Sequence, residues 1–208
     1  MNQWIERGNK VARIYDAEAE ATGWHGPEVA FALTYPFITP GQTMLDIGIG
    51  TGLGALLFQK AGLTVHGLDI SPDMLEACKS KGLTNLIEHD LTQRPYPFAD
   101  ASMDLVACTG VLNFFDDLAP IFQEAARIMR PDGLFVFVVG DREEHEEGSI
   151  SVEHSGHDMA MYRHSPGDVQ TGLESAGLTR KRALRFMVFM DSAKTVPHLA
   201  KAYLACKA

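Results

Sequence analysis

Met44-Leu45-Asp46-Ile47-Gly48-Ile49-Gly50-Thr51-Gly52-Leu53-Gly54 decides how the rest of the chain is read. An apolar run holding one acid passes straight into glycines at every second position, and an amphipathic helical pattern follows at once. That order predicts a buried strand, a turn too tight for β-carbons, and a helix whose first turn points at a ligand. Glycine reaches positive φ without steric cost and lets a ligand approach bare backbone. The first N–H groups of a helix have no internal partner and carry the positive end of its dipole. The expected occupant is an extended small molecule with at least one anionic group.

Working outward, a helix over about 52–62 and a turn at Gly62 lead to a second strand, Thr64-Val65-His66-Gly67-Leu68-Asp69. Asp69 follows Gly52 by 17 residues, room for one helix, a turn and a strand. The acid then lies beside the glycine turn, where a carboxylate can accept hydrogen bonds from ribose hydroxyls, the device used in dinucleotide folds. The next helix has its start signals in order: Ser71 as N-cap, Pro72 at the first helical position, Asp73 in the first turn. A third strand, Asn85 to Asp90, again ends in an acid. A proline-punctuated loop (92–98) precedes a fourth strand over 99–108. A helix over about 118–129 follows, burying Ile121, Phe122, Ala125, Ile128 and Met129, with Asp116 and Asp117 at its favourable N-terminal end. It stops at a tight turn, Arg130-Pro131-Asp132-Gly133, before a fifth strand over 134–139. Strands alternating with helices from 43 to 139 predict a parallel sheet covered on both faces. Ligands of such sheets bind beyond the carboxyl ends of the strands. Asp46, the glycines, Asp69, Asp90 and Thr109 all fall there.

The glycine spacing narrows the ligand. In the dinucleotide fingerprint G-x-G-x-x-G, Gly48 and Gly50 would require a glycine where the chain has Leu53; starting from Gly50 and Gly52 gives Ala55, which that motif sometimes tolerates. The better description is D-x-G-x-G-x-G, with Asp46 two residues before Gly48. Together with the acid-ended strands and the R-P-D-G turn, this resembles the class I S-adenosylmethionine-dependent methyltransferases, in the type 11-like branch that includes quinone and other small-molecule enzymes. The resemblance covers about residues 35–208, with motif-level detail in 44–133. It implies an α/β, Rossmann-like three-layer sandwich: a seven-stranded, mostly parallel sheet with strand seven antiparallel, and an N-terminal helical cap. It also implies S-adenosyl-L-methionine as methyl donor and S-adenosyl-L-homocysteine as product. The cofactor contacts it implies are Tyr15 from the cap, Asp46 with Gly48, Gly50 and Gly52 in the loop, and Asp69 and Ile70 at the ribose. Asp90 and Leu91 are implied at the adenine, whose exocyclic amine suits an acceptor-only carboxylate; Thr109 and Leu112 are implied at the methionine part. Where many relatives carry a histidine, this chain has Asn113.

In front of that unit, residues 2–18 carry one helical pattern with Trp4, Ile5, Val11, Ile14 and Tyr15 near one side, and a second helix is expected over 27–38. Behind it, 141–165 is polar, with Asp141, Glu143, Glu144, Glu146, Glu147 and the histidines His145, His154, His157 and His164. Their spacing matches no familiar metal site, so no metal is expected. A substrate-pocket lid is the better expectation, because long loops after catalytic strands tend to carry function. His145, His154 and His157 are then the candidate general bases, with pKa values suited to neutral pH. A helix over about 166–176, strand six over 179–190 and an antiparallel strand seven over 199–206 complete the sheet.

Composition bounds the rest. The chain has 208 residues, 46% apolar and 22% charged, an ordinary globular balance read as one domain over 1–208. Its parts are the cap (1–38), the cofactor-binding half (39–140), and the lid and sheet completion (141–208). The net charge of -9, with no cluster of Lys and Arg, argues against a nucleic-acid partner. Cys78, Cys108 and Cys206 are odd in number and widely spaced, as expected for reduced thiols in a cytoplasmic protein. A polar N-terminus and no long apolar run predict neither export nor membrane insertion. The expected activity is methyl transfer to an O, N, S or C nucleophile of a small-molecule acceptor, by a monomer or homodimer. A protein methyltransferase, a nicotinamide-dependent oxidoreductase and a non-catalytic binding module are the rivals, the oxidoreductase disfavoured by the glycine spacing and by the acid inside strand one.

Overall fold

The computed structural model describes residues 3–142, 150–154, 160–190 and 195–207, with 150–154 described in backbone only. Its centre is a seven-stranded sheet. In chain order the strands are β1 (Thr43–Ile47), β2 (Thr64–Asp69), β3 (Asn85–Glu88), β4 (Met103–Cys108), β5 (Met129–Gly140), β6 (Ile150–His154), β7 (Ala160–His164), β8 (Leu178–Met190) and β9 (Pro197–Lys207). The large sheet runs β3-β2-β1-β4-β5-β9-β8, while β6 and β7 pair separately. β1 to β5 pair in parallel; β9 is antiparallel to both β5 and β8. This is the expected mixed sheet with its seventh strand reversed.

Why three layers form is legible along β5. Phe135, Phe137 and Val139 enter one apolar cluster, and Leu134, Val136 and Val138 enter the other, the period-two alternation of a strand buried on both faces. The first cluster is closed by α6 (Ala119–Ile128) and α7 (Pro166–Ser175), through Ile121, Phe122, Val169 and Leu173. The second is closed by α3 (Gly26–Thr34), α4 (Leu53–Lys60) and α5 (Pro72–Ser80), through Ala30, Phe58 and Leu75. Phe122 meets the rings of Phe135 and Phe137 at 5.4 and 4.8 Å, and each such pair contributes about 0.5–1.5 kcal/mol beyond its buried area. Among the described residues no helix is long and apolar enough to cross a membrane.

Four boundaries differ from the sequence expectations. The first helical pattern breaks into α1 (Gln3–Val11) and α2 (Tyr15–Thr22), because the two halves dock on different elements. β3 ends at Glu88, where its ladder with β2 stops, and Asp90 instead opens a turn by accepting from the Thr92 N–H (2.9 Å) and hydroxyl (2.8 Å). β5 begins at Met129 and runs through the expected R-P-D-G turn, with Asp132 in the left-handed region at φ 62°. The stretch expected as an uninterrupted polar loop contains the β6–β7 ladder, from Ile150 opposite His164 to His154 opposite Ala160. The acids and histidines masked the β-branched and aromatic residues there, Ile150, Val152 and Tyr162, that favour strand pairing.

Candidate functional site

At the carboxyl end of β1 the chain turns through Gly48, Gly50 and Gly52, with φ of 70°, 57° and 87°. These are left-handed values that glycine adopts freely. A β-carbon on Gly48 would stand 2.9 Å from Val111, whereas one on Gly50 would meet nothing within 4 Å. Backbone therefore forms one wall of an open space. Asp69, at the tip of β2, sets the turn's geometry: its Oδ2 accepts from the Gly50 N–H (2.8 Å) and its Oδ1 from the Ser71 N–H (2.9 Å). Burial raises its pKa, opposed by those backbone bonds. Two carboxylate oxygens have about four lone-pair sites, so capacity for a ligand hydroxyl remains.

Asp46 lies beneath the same turn, 3% exposed, and its Oδ1 has no hydrogen-bond partner. Burial, and secondarily the nearby Asp69 charge, pushes its pKa up to about 7. A buried carboxylate with an unpaired oxygen is expensive. A cationic ligand group nearby would reverse that, by favouring the ionised form. Tyr15 adds a phenol whose pKa burial also raises, and Arg7 a guanidinium whose pKa burial lowers.

Two cavities open at these strand ends. One, of about 440 Å³, is lined by Gly48, Asp69, Ile70, Asp90 and Leu91 among others, between the rings of Trp4, Phe114 and Phe115. The other, about 980 Å³ and open to solvent, shares Gly48, Asp69 and Ile70 and continues past Tyr15, Gly50 and Thr109. Of the expected cofactor residues, Tyr15, Gly48, Gly50, Asp69, Ile70, Asp90, Leu91 and Thr109 line one or both of these adjoining cavities, and Asp46 lies buried beneath them without lining either. Gly52 instead turns its α-carbon toward Leu83, only 2.5 Å from where its β-carbon would be. Leu112 is fully buried in the core, and its neighbour Val111 lines the cleft. Of the three candidate bases, His145 and His157 lie outside the described residues, and His154 is described only as the end of β6. Among the described residues no group of three or more His, Cys, Asp or Glu could hold a metal ion.

The cleft also contains residues that the motifs did not name. Trp4, Arg7, Gly8 and Val11 all line it from α1. Their spacing of i, i+3, i+4 and i+7 is one helix face, a signal that the glycine and the arginine hid because neither counts as apolar. Trp4 packs on Phe114 at 5.2 Å, and the Arg7 guanidinium sits 4.6 Å from the same ring. The cap is attached by polar bonds. Asn9 Oδ1 accepts from the Ser71 hydroxyl at 2.7 Å, and Asp16 accepts from the Thr51 hydroxyl at 2.5 Å and pairs with Lys81. Both attachments end beside residues that line the cleft: Thr51 follows Gly50 in the glycine turn, and the Ser71 N–H is bonded to Asp69.

A family model for a methyltransferase domain matches residues 45–137. Over 101 residues the chain is 34% identical to the demethylmenaquinone methyltransferase of Tropheryma whipplei (strain Twist), a match covering 48% of this chain and 42% of that protein. The chain thus spans about two fifths of the length of that curated relative. Among solved structures, it aligns with the Burkholderia thailandensis 1,6-didemethyltoxoflavin-N1-methyltransferase, which holds 1,6-didemethyltoxoflavin and S-adenosylhomocysteine. The TM-score is 0.72 at 18% identity, covering 98% of this chain and 88% of that one. It also aligns with a structure described as a complex between the Haloferax volcanii Trm112 methyltransferase activator and the putative methyltransferase. There the TM-score is 0.76 at 21% identity, covering 98% and 97%. At those identities the likeness to the solved structures is one of fold.

Proposed function

We propose that the chain, whose residues 45–137 match a methyltransferase-domain model, is a class I S-adenosylmethionine-dependent methyltransferase of the type 11 branch that methylates a small-molecule acceptor. The observation that carries this reading is the pair of carboxylates under bare glycine backbone, Asp69 bonded to the turn and Asp46 buried with one oxygen unpaired. A nucleoside with a cationic amino-acid tail fits that pair. Ribose hydroxyls would donate to Asp69, and the ammonium group would supply the charge that Asp46 lacks. Asp90 and Leu91 then face the adenine between Phe114 and Trp4. Arg7 contributes the cation of the cleft, suited to the tail's carboxylate.

When bound, S-adenosylmethionine supplies a methyl group on a positively charged sulfur, a leaving group that needs no further activation. What remains for the protein is alignment and exclusion of water, effects that together reach several kcal/mol. The cap helices do both, by covering the glycine turn and bringing Trp4, Arg7 and Tyr15 over it. The reading is tested by calorimetric titration with S-adenosylhomocysteine of the wild type and of Asp69→Ala. Charge-assisted hydrogen bonds are worth roughly 1.5–3 kcal/mol, so the variant is expected to bind about ten- to a hundredfold more weakly. Equal affinity in the two proteins removes the ribose assignment. Tighter wild-type binding of NAD than of S-adenosylhomocysteine removes the methyltransferase reading.

A further inference from the structure

A third cavity, of about 470 Å³, lies between β5, β7, β8 and β9. It shares Trp24, Asn113, Met161 and Phe189 with the large cofactor cleft, so the two spaces adjoin through those side chains. Resting on the methyl-transfer reading above, we propose that this cavity is the acceptor pocket, that it takes a planar aromatic molecule bearing an acidic O–H or N–H, and that His198 receives that proton.

The walls argue for a flat ring. Phe189 of β8 stacks on its ladder partner His198 of β9, with centroids 4.4 Å apart and planes inclined by 19°. Trp24 stands 6.3 Å from the same phenylalanine, and the Met161 thioether completes the border with the cofactor cleft. Flat rings and a soft sulfur favour a π-face over a branched aliphatic one. Two polar side chains argue for the acidic proton. Asn113 uses its amide oxygen to accept from the Gly140 N–H at 2.8 Å, so what it has left to offer is its NH2, a donor for an oxygen gaining negative charge. His198 is half-buried in the same lining, and an imidazole is the side chain suited to taking a proton near neutral pH. Among the described residues, Arg163 and Tyr162 of β7 are the other charged and titratable groups of this lining, and the arginine favours an anion. In the step proposed, the acceptor's O–H or N–H bond breaks and the proton passes to a ring nitrogen of His198. The bonding pair stays on the heteroatom, which becomes the nucleophile, and the imidazolium afterwards returns the proton to water.

The probe is 4-nitrophenol, whose phenolate and phenol differ in visible absorbance, added to the full chain without cofactor. The protein has two tryptophans: Trp24 stands between the acceptor pocket and the cofactor cleft, whereas Trp4 lines the cofactor side and not the acceptor pocket. With 15N-labelled protein, 4-nitrophenol is expected to move the Trp24 indole cross-peak more than that of Trp4, and S-adenosylhomocysteine to move that of Trp4. Cyclohexanol should move neither. Bound 4-nitrophenol should ionise at lower pH than the free probe. His198→Phe, which keeps a ring against Phe189, should retain binding while shifting the ionisation of the bound probe back to higher pH, toward that of the free probe. An ionisation curve unchanged by His198→Phe overturns the proton role. Normal S-adenosylhomocysteine binding with no 4-nitrophenol response at Trp24 overturns the pocket and leaves the methyltransferase reading standing. Failure of the wild type to bind S-adenosylhomocysteine overturns that reading and this inference together.

Discussion

Gly8→Ala isolates what the cap contributes. A β-carbon at Gly8 would lie 2.5 Å from the Ser71 β-carbon and 2.8 Å from its hydroxyl. Carbon atoms settle at about 3.5–4.0 Å, so α1 must retreat by roughly 1 Å from α5. Three contacts depend on that approach: the Asn9–Ser71 hydrogen bond, the Trp4–Phe114 ring pair, and Arg7 over Phe114. At about 0.5–1.5 kcal/mol for the bond, a similar amount for the rings and about 0.5–1 kcal/mol for the cation, partial loss destabilises the docked cap by about 1–3 kcal/mol. If the cofactor binds only the capped form, apparent affinity falls with the capped fraction, roughly five- to a hundredfold. Global stability should move little, because α1 contains no buried residue and alanine is about 1 kcal/mol better than glycine inside a helix. The assay is calorimetric titration with S-adenosylhomocysteine, beside thermal unfolding and amide exchange of α1. Affinity within about twofold of wild type, with α1 exchange faster, would refute the argument that the cap is part of the cofactor site.

Two further outcomes follow from the titrating groups. Asp46 stays protonated to about pH 7 in the folded chain against an ordinary value of 3.8, so the folded form binds the extra proton between those values. Stability therefore falls as pH rises from about 4 to 7 and is flat above, by up to about 4 kcal/mol; Asp46→Asn should abolish that slope in urea titrations at pH 5 and pH 8, and an unchanged slope would disprove it. On the far side of the sheet, Arg127 donates to both Glu124 oxygens (2.9 and 2.7 Å), to Asp100 and to the Phe98 and Tyr96 carbonyls. Arg127→Ala should cost about 1–3 kcal/mol of stability, measured in urea, and leave S-adenosylhomocysteine affinity unchanged.

The parts of the fold readable in advance are those where one physical requirement dominates. Strand limits at 64 and 69 follow from an apolar run closed by a turn glycine and an acid, and the Ser71 cap was met as expected, its hydroxyl accepting from the Met74 N–H at 3.2 Å. The gathering of Asp69, Ile70, Asp90 and Leu91 on one cavity follows from parallel strands ending together. What escaped depends on tertiary choice. The break between α1 and α2 has no glycine or proline to announce it; it exists because Asn9 reaches α5 while Asp16 reaches the glycine turn. Gly8 gave no sign of itself, since its role is the absence of a side chain against a helix far along the chain. His198 lies outside every motif, and only the pairing of β8 with β9 brings its ring onto Phe189.

The attachment of the cap also has a kinetic side. S-adenosylmethionine and S-adenosylhomocysteine differ by a single methyl, so a cover fastened through Asn9 and Asp16 grips both and distinguishes them only by charge. Departure of the spent nucleoside then waits on these fasteners letting go, and strengthening them lengthens residence time at the expense of throughput. A chain built this way should hold donor and product with similar affinity, and loosening its first two helices should speed the release of both.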